Sequence, residues 1–418
     1  VTEVTDELKR LMKEFEKELA IVKGRVDGLE ARVGELEATQ FSTTTKLKGK
    51  VDMVIGGISY GGDDGDAINH GLGEGADYKG QDAVTFNYTA KFDLNTSFTG
   101  KDLLYTRIKT GNFSKNFYGG DGNGQSDLAD LSVGNSNGGT LKVDKIWYQF
   151  PLGADFTVYL GPRIEAYYML GSTPSVYRQI LKQFKLGGYY GAYGASTSAG
   201  AGISWKPNSQ TNPFDPKFTI STSYNASEGD HSCVRGSSCG GIGTNESSAR
   251  WLTQIGYGNP QWNISAAYQY AQEGGFKGYG TPSGEKNAYW TGSEYATTGY
   301  ESVNSVSLRA WWQPSESGWI PSISTGWNYS SFSSPDSNLG YTGNKKNASS
   351  ASQSWFVGLN WKDAFMKGNL LGAAIAQSHF TTSLESSEYP DDGNYSMELY
   401  YQFQVTDNIA VTPTIFYL

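Results

Sequence analysis

The sequence predicts an all-β chain, a transmembrane antiparallel up-and-down β-barrel preceded by an N-terminal α-helical coiled coil. Three observations predict it. From Ser42 onward, apolar and polar residues alternate with a period of two in segments of about ten residues. The connections between these segments alternate between short and long. Residues 1–40 carry a heptad pattern in place of the alternation.

Composition removes the alternatives. The longest apolar run, Leu370–Ala376, is far short of the ~18–20 residues of a membrane helix, so a helical membrane protein is excluded. Aromatics at 14% and regular apolar spacing argue against disorder. A net charge of -9 argues against a nucleic-acid partner, which would call for a basic patch. Only 18% of residues are charged, and Tyr, Trp, Gly, Ser and Asn are plentiful, as in secreted or cell-surface β proteins. The start at Val1, with no initiator Met or signal peptide, reads as a mature or trimmed chain.

The first domain expected is a stalk, residues 1–40. Met12, Leu19, Val26 and Val33 form one heptad set; Leu8, Phe15, Val22, Leu29 and Leu36 form the other. Spacings alternating four and three keep the stripe on one face under a left-handed supercoil. A lone helix would leave that stripe wet, so homo-oligomerisation is expected, against a helix packed on its own domain. Gly24, Gly28 and Gly34 weaken the coil, and the order of the oligomer is not fixed by these residues. Forty residues of helix make a rod of about 60 Å.

The second domain expected, 41–418, is the barrel. The alternation is plain in Val84, Phe86, Tyr88, Ala90, Phe92 and Leu94, set against Thr85, Asn87, Thr89, Lys91, Asp93 and Asn95. It recurs near 45–60, 103–110, 141–150, 154–165, 196–206, 216–226, 249–258, 260–271, 301–313, 320–331, 352–362, 368–380, 393–404 and 407–418. That makes about fifteen candidate strands. Short turns fall at Pro151–Gly153, Asn259-Pro260 and Lys362–Gly368. Long connections, rich in Gly, Ser, Asn and Asp, fall at 61–82, 112–140, 227–248, 272–300, 332–350 and 381–392. Soluble sandwiches also alternate. Strand length, alternating loops and aromatics near strand ends favour the membrane barrel. The aromatics are Tyr268 and Tyr270, Trp311 and Trp312, Trp355 and Trp361, and Tyr400 and Tyr401. Lipid leaves no sheet edge satisfied, so such strands must close on themselves.

Three segments carry a resemblance. They are Leu29–Leu47 (LEARVGELEATQFSTTTKL), Lys145–Gly153 (KIWYQFPLG) and Met397–Asn408 (MELYYQFQVTDN) with Val411-Thr412-Pro413. They resemble the corresponding parts of cyanobacterial major outer-membrane porins, which are similar to OprB-type carbohydrate-selective porins, and the resemblance covers nearly the whole chain. It implies a sixteen-stranded homotrimeric barrel in a bacterial (cyanobacterial) outer membrane, in contact with its lipid and lipopolysaccharide, with the N-terminal helix in the periplasm. It implies also an S-layer-homology module that binds peptidoglycan-linked polymer; this chain begins after the place where that module would sit. The final strand reads as penultimate, which would account for fifteen candidates where an even number is usual.

A pore works by its lining. With apolar residues facing lipid, the inward charges are Lys46, Lys48, Lys50, Asp52, Lys91, Asp93, Arg107, Lys109, Arg163, Glu165, Arg309 and Glu398. Each could instead sit at an interface or loop end, and a one-residue error in phase would flip a whole strand. Residues 173–187 break the alternation. Thr173-Pro174 reads as a helix start, Tyr177, Ile180, Leu181 and Phe184 as an apolar stripe, and Gly187-Gly188 as a stop. Arg178, Lys182 and Lys185 line the polar side with no acid between them, and Tyr189, Tyr190 and Tyr193 follow. This helix is expected either in the lumen, narrowing it with positive charge, or outside the barrel.

Basic rings favour anions, so the expected function is passive diffusion of small hydrophilic solutes, chiefly inorganic ions, with a modest preference for anions. The family resemblance suggests sugars as an alternative, although no clear aromatic ladder is evident, or iron, which would favour acidic linings. A structural reading, an adhesin or envelope spacer on a coiled-coil stalk, ranks lower. Cys233 and Cys239 are expected to form a disulfide across a short loop, the alternative being free thiols. No metal or other cofactor is expected. Asp121, Asn123, Gln125 and Asp127 are a weak Ca²⁺ candidate that lacks the closing Glu. An enzyme is not expected. His70, His231 and His379 are scattered, and there is no Gly-x-Ser-x-Gly elbow.

Overall fold

The computed structural model describes residues 2–39, 44–59, 83–113, 117, 127–208, 212, 214–232, 240–272, 274–276, 301–333, 349–384, 393 and 395–418. Helix α1 (Thr2–Thr39) meets the helical expectation. It is a single helix. Leu8, Met12, Phe15, Leu19, Val22, Val26 and Leu29 are exposed along it, and Val33 and Leu36 continue its span.

Sixteen β elements follow: β1 (Thr45–Gly56), β2 (Thr85–Thr96), β3 (Leu103–Gly111), β4 (Lys142–Leu152), β5 (Phe156–Ile164), β6 (Ser198–Trp205), β7 (Lys217–Ala226) and β8 (Ala249–Asn259). Then come β9 (Trp262–Gln272), β10 (Ser302–Trp312), β11 (Ser322–Phe332), β12 (Ser349–Lys362), β13 (Leu370–Leu384), β14 (Ser396–Thr406), β15 (Ile409–Val411) and β16 (Thr414–Tyr417). Each pairs antiparallel with the next through β15, the order of a meander. β15 and β16 both pair with β14, end to end, and together form the last candidate strand read in the sequence. Pro413, which has no N–H to give, stands in the break between them. The two ends of the sheet approach each other: Val54 of β1 and Phe416 of β16 pack on one apolar cluster.

The alternation sorts side chains by face. Met53, Ile55, Phe86, Phe218, Ile264, Leu308 and Met397 are exposed on the outside. Asn225, Gln254, Gln269, Ser307, Asn328, Ser354 and Asn360 are buried inside. A soluble protein rarely exposes so continuous an apolar face, whereas a lipid-facing one requires it. Two of the expected aromatic pairs follow the alternation rather than a common belt. Tyr400 is buried and Trp312 is exposed, while Tyr268 and Tyr270, two apart, both point outward.

One strand departs from the expected phase. Gly161 pairs with Gly200, and Ile164 with Ser198, so β5 holds one extra residue at Pro162-Arg163. Arg163, expected in the lumen, is carried to the outer side opposite Ile146. Its Nε donates to the Asp144 carbonyl at 3.2 Å, and the fully buried Ile164 takes the inward place.

Leu308 lies mid-strand on the lipid face. We predict that Leu308→Arg lowers stability by about 2–4 kcal/mol in urea unfolding from lipid vesicles. An unchanged midpoint would contradict the face assigned to β10.

Candidate functional site: a lumenal loop and a charged wall

The chain between β5 and β6, residues 165–197, folds into the barrel. A segment placed there must find a partner for each backbone amide and carbonyl. The inner wall from β7 to β14 supplies them. Ser172 N–H donates to Gln254 Oε1 at 3.0 Å, and Val176 N–H to Ser324 Oγ at 3.1 Å. Arg178 N–H reaches Asn360 Oδ1 at 2.8 Å. The Glu398 carboxylate on β14 accepts from Ile180 N–H (3.2 Å), Leu181 N–H (2.7 Å) and the Tyr177 hydroxyl (2.8 Å). On the way back, Ala192 N–H donates to Ser307 Oγ at 3.1 Å, and Gln269 Nε2 donates to the Ala192 carbonyl at 2.9 Å. The loop also borders the preceding long connection: Ser132 N–H donates to Ile180 O and Lys182 N–H to Asp130 O, both at 2.7 Å.

These bonds explain why the expected helix over 173–187 does not form. The amides of Val176, Arg178, Ile180 and Leu181 serve the wall instead of an i−4 carbonyl, so tertiary partners override local propensity. The backbone is extended at Leu181 and Lys185, and a 3₁₀ segment covers Lys182–Gly187. The apolar stripe was real although its geometry was not: Tyr177, Leu181 and Phe184 are buried in one cluster with Phe356 and Tyr400. The placement inside the lumen is the one of the two expected sites that the structure adopts.

Arg309 faces inward, as expected, but it is 3% exposed and lines no channel. Its guanidinium donates to the carbonyls of Leu186 (2.9 Å), Gly188 (2.9 Å) and Trp327 (3.1 Å) and to Asn328 Oδ1 (2.9 Å). The Tyr193 ring lies 4.6 Å from it. It clamps the loop where Leu186 has φ +58° and Gly187 φ +73°. A Cβ on Gly187 would meet Arg309 Cδ at 2.9 Å, so glycine is needed there for space as well as for conformation.

A second contact region is aromatic. His379, at a bulge in β13, is fully buried and stacks on Tyr190 of the loop at 4.0 Å, with Phe276 and Phe332 beside it. It stands among rings and takes no hydrogen bond from the described residues.

The opposite wall, β1 to β5, carries the charge. Cross-strand partners share a face, and register places Lys50 opposite Lys91, Lys91 opposite Lys109, and Lys109 opposite Lys142. The next inner level reads Lys48, Asp93, Arg107 and Lys145. This second level is neutralised: Arg107 Nε is 2.7 Å from Asp93, and Lys145 Nζ is 2.7 Å from Glu165 and 3.4 Å from Asp144. The first is not. Asp52 lies 2.7 Å from Lys50 and 4.0 Å from Lys91, and among the described residues no carboxylate lies within 4 Å of Lys109 or Lys142. From the loop, Lys182 is 3.9 Å from Asp130, and exposed Arg178 has no such carboxylate among the described residues.

Glu165 and Lys185 join the loop to this wall. Burial alone would raise the Glu165 carboxyl, but Lys145 and Lys185, with hydrogen bonds from Lys145 and Tyr167, outweigh it and hold it at about 2. Burial pushes the Lys185 ammonium down to about 8, against the pull of Glu165. Its Nζ sits 3.7 Å from the centre of the Tyr167 ring. Tyr105 and Trp147 of the wall meet Tyr168 of the loop, with centroids 5.1 Å (Tyr105–Trp147) and 5.3 Å (Trp147–Tyr168) apart, and Tyr159 packs against Trp147. The sequence shows no clear aromatic ladder, and the structure brings these rings into one patch.

Cys233 and Cys239, Asp121, Asn123 and Gln125, and His70 lie outside the described residues. Asp127 begins a short 3₁₀ turn, Asp127–Ala129. Among the described residues no group of three His, Cys, Asp or Glu side chains could hold a metal. No described helix is long and apolar enough to cross a membrane.

Over residues 3–418 the chain matches the family described as carbohydrate-selective porin, OprB family. It belongs to that family. It is an outer-membrane channel, as family and fold together require. Two similar proteins are uncharacterised, one from Nostoc sp. and one from Synechocystis sp.. Each is 28% identical and aligns with 98% of this chain, covering 68% of the first relative and 71% of the second. Among solved structures, Pseudomonas putida OprB has a TM-score of 0.47 at 13% identity, covering 92% of this chain and 90% of that one. OmpT of Vibrio cholerae, in its trimer form, has a TM-score of 0.46 at 8% identity, with coverages of 90% and 88%.

Arg309→Ala strips two loop carbonyls, those of Leu186 and Gly188, of a charged donor, each such bond being worth about 1.5–3 kcal/mol. We predict larger, noisier single-channel conductance in planar bilayers as the loop leaves the wall. An unaltered conductance trace would show that the loop holds without this clamp.

Proposed function

We propose that the chain is a passive diffusion channel for small hydrophilic solutes, chiefly inorganic ions, with a modest preference for anions. One observation carries the reading. The row Lys50–Lys91–Lys109–Lys142 crosses four adjacent strands on the open side of the lumen. Like charges set directly opposite across strands are destabilising, so such a row calls for a gain in function. A ring of cations in a narrowed pore admits anions over cations, and salt weakens the effect.

The reading includes assembly. The exposed stripe of α1 suits a coiled coil among three copies, residues 1–40 forming a periplasmic stalk and 41–418 the trimeric barrel. Contact of the outer face with lipid and lipopolysaccharide belongs to the same proposal. A sugar channel is the second reading, favoured by the family's description and by the Tyr105–Trp147–Tyr168 patch beside the Arg107–Asp93 pair. An iron channel has no comparable support, since the lining is basic.

In a planar bilayer under a KCl gradient, the reversal potential should fall on the anion side. Lys91→Glu with Lys109→Glu should move it toward the cation side. Cation-side reversal in the unaltered protein would overturn the reading.

The Lys185 ammonium, at about 8, is charged at pH 6 and mostly discharged at pH 9. Anion preference should therefore weaken as pH rises from 7 to 9. Selectivity that stays flat across that interval would mean that Lys185 does not act on the permeating ion.

A further inference from the structure

We propose that the lysine row is a binding subsite for a doubly charged tetrahedral oxyanion of the phosphate or sulfate kind, and not only a source of positive field. The proposal rests on the anion-channel reading and deepens it. Cross-strand neighbours on one face stand about 4.5–5.5 Å apart at Cβ, so Lys91, Lys109 and Lys142 can bring their ammoniums to one small volume. Each ammonium is a compact charge with three rotatable donors, suited to an anion whose oxygens point several ways.

Charge balance singles out a divalent guest. By register Lys109 stands between Lys91 and Lys142. Asp144 is engaged by Lys145 at 3.4 Å and by Arg107 at 3.9 Å, and Glu165 also holds Lys145 at 2.7 Å. Asp130 is engaged by Lys182 and Asp52 by Lys50. Lys109 and Lys142 are thus left without a carboxylate within 4 Å among the described residues, and Lys91 has only a 4.0 Å share of Asp52. A doubly charged anion set between Lys109 and Lys142 would offset that excess. Chloride or nitrate would offset half of it, and would pass where the divalent ion dwells.

The neighbouring inner level makes the contrast. There Asp93 stands between Lys48 and Arg107 in register, so the wall supplies its own counter-charge. One level away the corresponding position is Lys91.

The test is block of chloride current. The full chain is placed in a planar bilayer in constant KCl at pH 7.5, and sodium sulfate or sodium phosphate is titrated in, with sodium nitrate as the monovalent comparison. Saturable block by sulfate and phosphate, and none by nitrate, is expected. In Lys109→Gln with Lys142→Gln, half-block should need at least about tenfold more sulfate, the equivalent of one charged contact. Lys182→Gln, a change on the loop side, should raise it less. Anion-side reversal in KCl without saturable block would overturn the subsite and leave the anion-channel reading standing. Block that persists in the double variant would place the anion elsewhere and also overturn the subsite. Cation-side reversal would remove both.

Discussion

A loop folded into a barrel takes its amides and carbonyls away from bulk water, and each must be bonded where it lands. That requirement organises the lumen. The inner wall from β7 to β14 is lined with neutral polar side chains, Gln254, Gln269, Ser307, Ser324, Asn328 and Asn360 among them, and they hold the loop directly or brace what does. Lipid imposes the complementary demand outside, where Ile264, Leu308 and Met397 alternate with those same polar positions. Inner and outer faces are therefore two consequences of one period-two pattern.

The loop divides the lumen into unlike halves. Along β7 to β14 it is fastened by Arg309, Glu398 and the rings around His379. Along β1 to β5 it faces a charged wall, touching it through Glu165 with Lys145 and through Tyr168 with Trp147. The loop side is fixed by hydrogen bonds to neutral groups, one carboxylate and one guanidinium, and the wall side is free to carry charge. Changing the wall charges should thus alter the passage of ions more than the position of the loop.

Much of the fold was legible because strand phase is a local property of sequence. Lys50, Lys91 and Lys109 could each be assigned inward from alternation alone. That they stand side by side could not, because register depends on turns and on partners far away in sequence. Arg163 went astray for a related reason: the bulge in β5 reverses the phase within one strand. Gly161-Pro162 was the available signal, since proline inside a strand marks an edge or a bulge. The helix expected over 173–187 failed because its apolar spacing came from burial against Phe356 and Tyr400, while its amides were claimed by Asn360 and Glu398. The clamp role of Arg309 had no sequence signal, since an inward arginine looks the same whether its partner is an ion or a loop carbonyl.

The choice of partner for Arg309 bears on the channel itself. A buried guanidinium is commonly matched by a carboxylate, which would cancel its charge. Here its acceptors are carbonyls and an amide oxygen, with the Tyr193 ring beside it. The positive charge is therefore retained within the barrel while the group is fully bonded. Glu398 does the reverse on the same side of the loop, holding a carboxylate with amide and hydroxyl donors. The two anchors set one basic and one acidic group into the fastening of the loop, and the balance of charge along the passage is left to the wall of β1 to β5. There Asp93 and Asp144 answer Arg107 and Lys145, and nothing within 4 Å among the described residues answers Lys109.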